Sequence, residues 1–212
     1  MELKILYKRL LDLGYKPIQI YQLLYIYDYY KENNTLEKFD KLLSKISKDY
    51  WYNELEAIRY AITNSIPYNL LVEKNSSADC MKAIVDFLIS AKLTNKFDKY
   101  YMVADFMYSN HFSAKKIMYL KKFIEQKPMS PNDLLKLCKY INKYDLYFWM
   151  VLEDFYKLYI YCTIEDFWNY LNSSNTINML NALAKNERSV EADIVYLDFK
   201  DDIDMYLYEK RS

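Results

Sequence analysis

Residues 84–93 read IVDFLISAKL, in which Ile84 is followed by the apolar residues Phe87, Leu88 and Leu93. An apolar residue with apolar partners three and four positions later forms the buried stripe of an amphipathic helix. The residue nine positions later falls where such a helix would turn into the next one. This stretch therefore predicts a short amphipathic helix followed by a turn.

The same spacing returns four more times along the chain. The copies are Val103-Phe106-Met107-Phe112, Leu120-Phe123-Ile124-Met129, Leu137-Tyr140-Ile141-Leu146 and Phe155-Leu158-Tyr159-Ile164. They begin 17–19 residues apart, so two copies span about the 34 residues of a helix-hairpin repeat. Ser113, Ser130 and Thr163 stand at N-cap positions between copies. The pattern predicts an array of short antiparallel helix hairpins, an α-solenoid-like bundle.

Composition also favours an all-α fold, because the 212 residues include one glycine and four prolines. So few turn-forming residues leave little material for β-hairpins or phosphate-binding loops. Helices are predicted near residues 2–13, 17–31, 36–46, from about 50 to before Pro67, 79–92, 97–110, 114–126, 131–143, 147–161, 164–172 and 177–185.

Three segments are predicted. Residues 1–74 would form an N-terminal helical bundle, and residues 79–188 the helical-repeat array. The most loop-like stretch, Asn75-Ser76-Ser77-Ala78-Asp79, would be a hinge between them. Residues 189–212 form an acidic aromatic C-terminal segment, whose spacing allows a strand or a helix. We favour the helix, with Tyr196, Phe199, Ile203 and Tyr206 on one face.

Charge is distributed unevenly along a chain that is neutral overall. Residues 189–212 carry a net charge of −4, and residues 1–188 carry +4. Exposed aromatic residues are common anchors in protein interfaces. The C-terminal segment is therefore predicted to bind a partner's basic groove, as a nucleic-acid mimic. Its candidate residues are Tyr196, Asp198, Phe199, Asp201, Asp202, Asp204, Tyr206 and Tyr208. A solvated or frayed end remains the alternative.

A second candidate surface is a cluster of lysines on one predicted helix and its exit. Its members are Lys115, Lys116, Lys121, Lys122 and Lys127, with Tyr119 among them. Lysines neutralise phosphates, and a tyrosine ring can stack on a base. Nucleic-acid binding through this lysine face is an alternative function. An ordinary solvated helix face is the other interpretation of these residues.

Few residues offer catalytic chemistry. His111 is the only histidine, and at a predicted helix end it reads as a capping residue. Adjacent acids such as Glu153-Asp154 and Glu165-Asp166 cannot easily share one metal and read as solvated or N-terminal acids. Asp193, Asp198 and Lys200 superficially match a metal-dependent nuclease, whose site normally sits on a sheet. We therefore expect no enzyme activity and no cofactor, with a nuclease as the second alternative.

The expected location is the cytoplasm. Cys80, Cys138 and Cys162 are odd in number and widely spaced, which is typical of reduced, mostly buried thiols. The N-terminus has no secretory signal pattern. The longest apolar run is far shorter than the ~20 residues that span a bilayer, so no membrane association is expected.

One pattern in the N-terminal half carries a resemblance to known proteins. Leu55-x-x-Ile58-Arg59-x-x-Ile62-x-x-x-Ile66, echoed by Met81-x-x-Ile84-x-x-x-Leu88, resembles a short-helix repeat of proteins from AT-rich Firmicutes and their phages or mobile elements. The resemblance covers about 50 residues, and Ala61 stands where that repeat usually has glycine. It implies a phage or mobile-element origin and no particular activity.

Together these features predict a non-enzymatic protein-binding module. Arrays of stacked hairpins present extended faces and act mostly through protein contacts. The most concrete version is an anti-CRISPR-like inhibitor from a phage or mobile element. Its partner would be a host protein or ribonucleoprotein complex, whose binding groove the chain would occupy.

Overall fold

The computed structural model describes residues 3–73, 76–144, 149–185 and 190–211, which contain thirteen α-helices and no strand. The all-α prediction is confirmed. The chain divides into two compact units, unit 1 (Met1–Leu93) and unit 2 (Thr94–Ser212). Parts of three predictions lie outside the described residues. They are Leu146 of the fourth repeat copy, Asn75 of the predicted hinge, and residues 147 and 148 of a predicted helix.

Unit 1 consists of α1 (Leu3–Asp12), α2 (Pro17–Glu32), α3 (Glu37–Leu43), α4 (Tyr52–Thr63), α5 (Asn69–Glu73) and α6 (Ala78–Lys92). Helix α2 packs on α1, α3 and α4, and α4 packs on α6. The core comes from their apolar stripes, with Leu6, Leu23 and Ile58 among the fully buried side chains. The sequence did not predict α5, because five residues are too few to show a helical period.

Unit 2 consists of α7 (Phe97–Ser109), α8 (Ala114–Glu125), α9 (Pro131–Lys143), α10 (Trp149–Tyr161), α11 (Ile164–Leu171), α12 (Ser174–Lys185) and α13 (Val190–Arg211). Helix α7 packs on α9, and α8 packs on α10. Helix α13 packs on both α10 and α12. Within the predicted C-terminal segment, residues 190–211 form a helix, as we expected. Helix α12 begins three residues earlier than predicted.

Side-chain caps begin several of these helices. Ser113, Ser130 and Thr163 each accept a hydrogen bond from the backbone N–H three residues later, at 3.1–3.3 Å. The three predicted caps are confirmed. Each such cap stabilises its helix by about 1 kcal/mol.

Four helices end in the same left-handed turn, although the chain has one glycine. At the end of α7, His111 has φ +55°, its N–H donates to the Tyr108 carbonyl, and the Phe112 N–H donates to the Met107 carbonyl. This pair of bonds is the Schellman motif. The same bonds follow α1, α2 and α4, where the left-handed residues are Gly14, Asn34 and Ser65. His111 therefore lies in the turn that caps the end of α7, as predicted, and its backbone N–H makes one of the capping bonds.

Candidate functional site

Helix α13 carries the predicted acidic aromatic site and has two distinct faces. The inner face packs on unit 2 through Ala192, Tyr196, Phe199, Ile203 and Leu207, of which Tyr196 is half-buried and the others are buried. These positions repeat every three or four residues, which is the period of a helix. Most of the remaining positions are exposed. The predicted site residues are therefore split between two opposite faces.

Tyr196 ties α13 to α10 through a buried carboxylate. Its hydroxyl donates a 2.7 Å hydrogen bond to Asp154 Oδ2, and Lys157 Nζ lies 3.1 Å from Asp154 Oδ1. The Asp154 side chain is only 2% exposed, so the expectation that it faces solvent is wrong. The hydrogen bond to Asp154 raises the pKa of Lys157. Burial is the main cause that raises the pKa of the Tyr196 phenol, followed by its bond to Asp154.

Two further aromatic residues of the predicted site also pack inward. The Phe199 ring meets Phe155 edge to face at 6.2 Å. The Tyr206 ring lies 5.0 Å from the ring of Tyr170 on α11. Aromatic pairs in such geometries are each worth about 1 kcal/mol beyond their buried area. Phe199 is 4% exposed, so its ring holds α13 in place rather than presenting a contact surface.

The outward acids form a row along one edge of α13. Glu191, Asp198, Asp202 and Glu209 are separated by seven, four and seven residues, which keeps them within about 40° of one another around the helix. All four side chains are exposed. We call these four residues the acidic row. With so many carboxylates on one helix edge, this side of unit 2 attracts cations.

A cleft of about 490 Å³ lies beside the acidic row, between α13 and the segment that joins α11 to α12. Its lining includes Tyr170, Tyr206, Met179, Thr176, Asp198 and Asp202. Burial, and to a lesser degree the charge of Asp202, raise the pKa of Tyr170, so its ring stays neutral. Neutral aromatic rings next to carboxylates suit a guanidinium or ammonium group, through cation–π attraction and ion pairing.

The sequence reasoning missed a second outward feature of α13. Val190, Ile194, Leu197, Met205 and Tyr208 are 54–76% exposed. They share the helix side next to the acidic row, together with Asp201 and Asp204. We call these five apolar residues the apolar row. Its first three members stand at positions i, i+4 and i+7, a spacing that could have revealed it.

The lysine face is engaged in several contacts within unit 2. Lys121 Nζ lies 3.2 Å from Glu125 Oε1, and Lys122 Nζ lies 4.4 Å above the Tyr119 ring. Lys127 Nζ donates to the backbone carbonyls of Tyr159 and Cys162 at 2.8 and 2.7 Å. Lys127 therefore caps the end of α10. Lys115 and Lys116 lie in the first turn of α8, one exposed and one half-buried.

The residues considered for metal chemistry are spread around α13. Asp198 and Lys200 lie about 160° apart around the helix, and Asp193 lies about 140° from Asp198. The structure does not bring these three side chains together. Within the described ranges, no three His, Cys, Asp or Glu residues are grouped closely enough to hold a metal ion. Glu165 and Asp166 lie in the first turn of α11, as predicted.

Comparison with known proteins gives no relative for this chain. No protein-family model matches it, and no curated protein or solved structure does so either. None of the helices within the described ranges is both long and apolar enough to cross a lipid bilayer.

Proposed function

We propose that this protein is a non-enzymatic binding module that takes a basic segment of another macromolecule on α13. The observation that carries the proposal is the acidic row beside an aromatic cleft, on a helix whose other face is packed into unit 2. A firmly packed helix presents its carboxylates in a fixed arrangement, which lowers the entropic cost of binding. The partner would place an arginine or lysine side chain in the cleft and further basic residues along the row.

The finer version of the proposal names the partner. Grooves that bind guide or target nucleic acid are basic, because they must neutralise phosphates. An acidic row of fixed geometry is complementary to such a groove. We propose that the chain occupies this kind of groove in a host protein or ribonucleoprotein complex and so inhibits a defence system. The resemblance to repeats from phages and mobile elements supports this anti-CRISPR-like role.

We also infer that the scaffold is an array of stacked antiparallel hairpins. In unit 2, Tyr100 donates to the Met129 carbonyl at 2.5 Å and Asn142 lies 3.3 Å from Asn110, across separations of 29 and 32 residues. These separations are close to the length of two repeat copies. Packing of α7 on α9 and of α8 on α10 supports the same arrangement. In many proteins such arrays present extended surfaces that bind a partner.

The test is a tagged pull-down from bacterial lysate, with and without nuclease, read by mass spectrometry. The informative variant carries Asp198→Lys and Asp202→Lys, which reverse two cleft carboxylates. Its matched control carries Asp193→Lys and Asp201→Lys, with the same charge change away from the cleft lining. All four positions are exposed, so both variants are expected to keep the wild-type helix content.

We expect a protein partner that survives nuclease treatment, is lost with the first variant and is kept by the control. Added nucleic acid should compete with its capture, because both would use the same basic groove. Equal loss in both variants would mean that overall charge, not the cleft, drives binding. Undiminished capture by the Asp198 and Asp202 variant contradicts the proposed site.

The alternative function, nucleic-acid binding through the lysine face, has its own signature. Affinity for RNA or DNA should fall steeply with added salt, because bound phosphates release counterions. Replacing Lys115, Lys116, Lys121 and Lys122 with alanine should remove that binding. The position of Lys122 above the Tyr119 ring supports this alternative, since it places a cation beside a stacking surface. Loss of the captured partner on nuclease treatment would favour it over the α13 proposal.

A further inference from the structure

The apolar row of α13 leaves a large part of the helix unaccounted for. Val190 and Tyr208 are 71% and 76% exposed, although they lie on the same ordered helix as the buried Phe199. A surface helix normally buries one apolar stripe and turns polar residues to water. A helix with apolar rows on two sides is built for two contacts, and clustered exposed apolar residues commonly mark interaction sites.

Helix α1 of unit 1 shows the same excess of exposed apolar residues, with the opposite charge. Only Leu6 and Leu10 are buried among residues 3–13. Its large exposed apolar side chains, each 37–57% exposed, are Leu3, Ile5, Tyr7, Leu11 and Leu13. Lys4, Lys8 and Arg9 lie among them with a single acid, Asp12. A shallow groove of about 640 Å³ runs between these charged residues and Ile5.

We propose that α1 of one copy docks on the apolar row of α13 of a second copy. Ile5, with Leu13 in the same groove, would cover Leu197 and Tyr208, while Lys4 and Lys8 would face Asp201 and Asp204. Lys4 and Lys8 are one helical turn apart, and Asp201 and Asp204 are three residues apart, so both pairs project from one side of their helices. Apolar burial supplies the affinity, and charge complementarity selects the register.

Pairing of α1 with α13 between two copies fits these surfaces better than pairing of α1 with α1 or of α13 with α13 does. Two α13 helices would bring carboxylates against carboxylates, and two α1 helices would bring lysines together. Each of these arrangements is electrostatically unfavourable. Pairing α1 with α13 is a heterologous contact, which extends from copy to copy into a ring or a filament. One short helix against another buries little area, so we expect association at roughly micromolar concentrations.

The inference is independent of the proposed function, because the contact it proposes uses Leu197, Tyr208, Asp201 and Asp204, none of which lines the cleft. Either can fail alone. If the chain never self-associates, the cleft can still bind a basic partner. If the cleft binds nothing, assembly through α1 and α13 is unaffected.

The experiment is sedimentation velocity of the purified full chain over a concentration series. Variant one carries Lys4→Glu and Lys8→Glu, and variant two carries Asp201→Lys and Asp204→Lys. Each variant alone should associate at least about tenfold more weakly than wild type, since like charges then face each other. An equimolar mixture of the two should recover assembly, because each reversed surface meets a complementary one on the other chain.

Recovery in the mixture, with little assembly by either variant alone, is the expected result. Circular dichroism of each variant should match wild type, since all four positions are exposed. A wild-type chain that stays monomeric at every concentration overturns the inference. Assembly that is equal in wild type and both single variants also overturns it, as does a mixture that stays dissociated.

Discussion

The Tyr196 hydroxyl donates a 2.7 Å hydrogen bond to Asp154, a carboxylate whose side chain is 2% exposed. These two residues are 42 positions apart, and their bond joins α13 to α10. The acidic row and the cleft both depend on the position of α13. The bond is therefore a structural requirement for the proposed binding surface.

Replacing Asp154 with asparagine should destabilise the fold. Asparagine keeps the size of the side chain but loses the charge that Lys157 and Tyr196 both contact, which should cost about 1–3 kcal/mol in free energy of unfolding. The matched control is Glu153→Gln, the adjacent and more exposed acid, expected within about 0.5 kcal/mol of wild type. Urea denaturation measures both. Equal effects of the two substitutions would show that Asp154 has no special role.

Stability should fall in alkaline solution. Burial raises the pKa of several tyrosines from the usual value of 10.0, and it raises that of Tyr159 to about 12. A folded-state pKa above the unfolded-state value means that the folded chain holds its proton more tightly. The stabilisation is then complete below pH 10 and is lost as pH rises through the folded pKa. Urea unfolding at stepped pH, with tyrosinate absorbance followed in parallel, should show both changes together. Full stability at pH 12 contradicts this prediction.

The structure explains why some features could be predicted from the sequence. The N-cap Ser130 bonds to the backbone of Asp133, three residues away, so the whole motif is visible in one short stretch. The buried repeat positions such as Leu120 and Phe123 also follow from spacing within one helix. Local signals of this kind located most of the helices and their boundaries.

Other features depend on residues that are far apart in the sequence. The burial of Asp154 requires Tyr196 and the packing of α13 on α10, which no local pattern records. The cleft needs Tyr170 and Asp202 to approach each other across two helices. The sequence did predict that Tyr196 and Phe199 share one face of α13. It could not predict which acids of α13 line the cleft, because that depends on where the neighbouring helices lie.

Replacing His111 with glycine should stabilise the protein. His111 holds φ +55°, a left-handed conformation that strains any side chain with a Cβ atom, and glycine removes that strain. We expect a gain of about 0.5–1 kcal/mol in the free energy of unfolding. His111→Ala serves as the control and should give no gain, because alanine keeps the Cβ atom. A loss of stability in the glycine variant would instead indicate that the imidazole makes an essential contact.

Lys127 should behave differently from the rest of the lysine cluster. Its ammonium group donates to the carbonyls at the end of α10, where the helix dipole also favours a cation. Lys127→Met keeps most of the aliphatic stem and removes these bonds, so it should cost about 1–3 kcal/mol in free energy of unfolding. Lys115→Met, at an exposed position of α8, should change it by less than about 0.5 kcal/mol. Thermal denaturation of both variants decides the matter. If Lys127→Met is as stable as wild type while its nucleic-acid affinity drops, Lys127 belongs to a phosphate-binding surface and not to the fold.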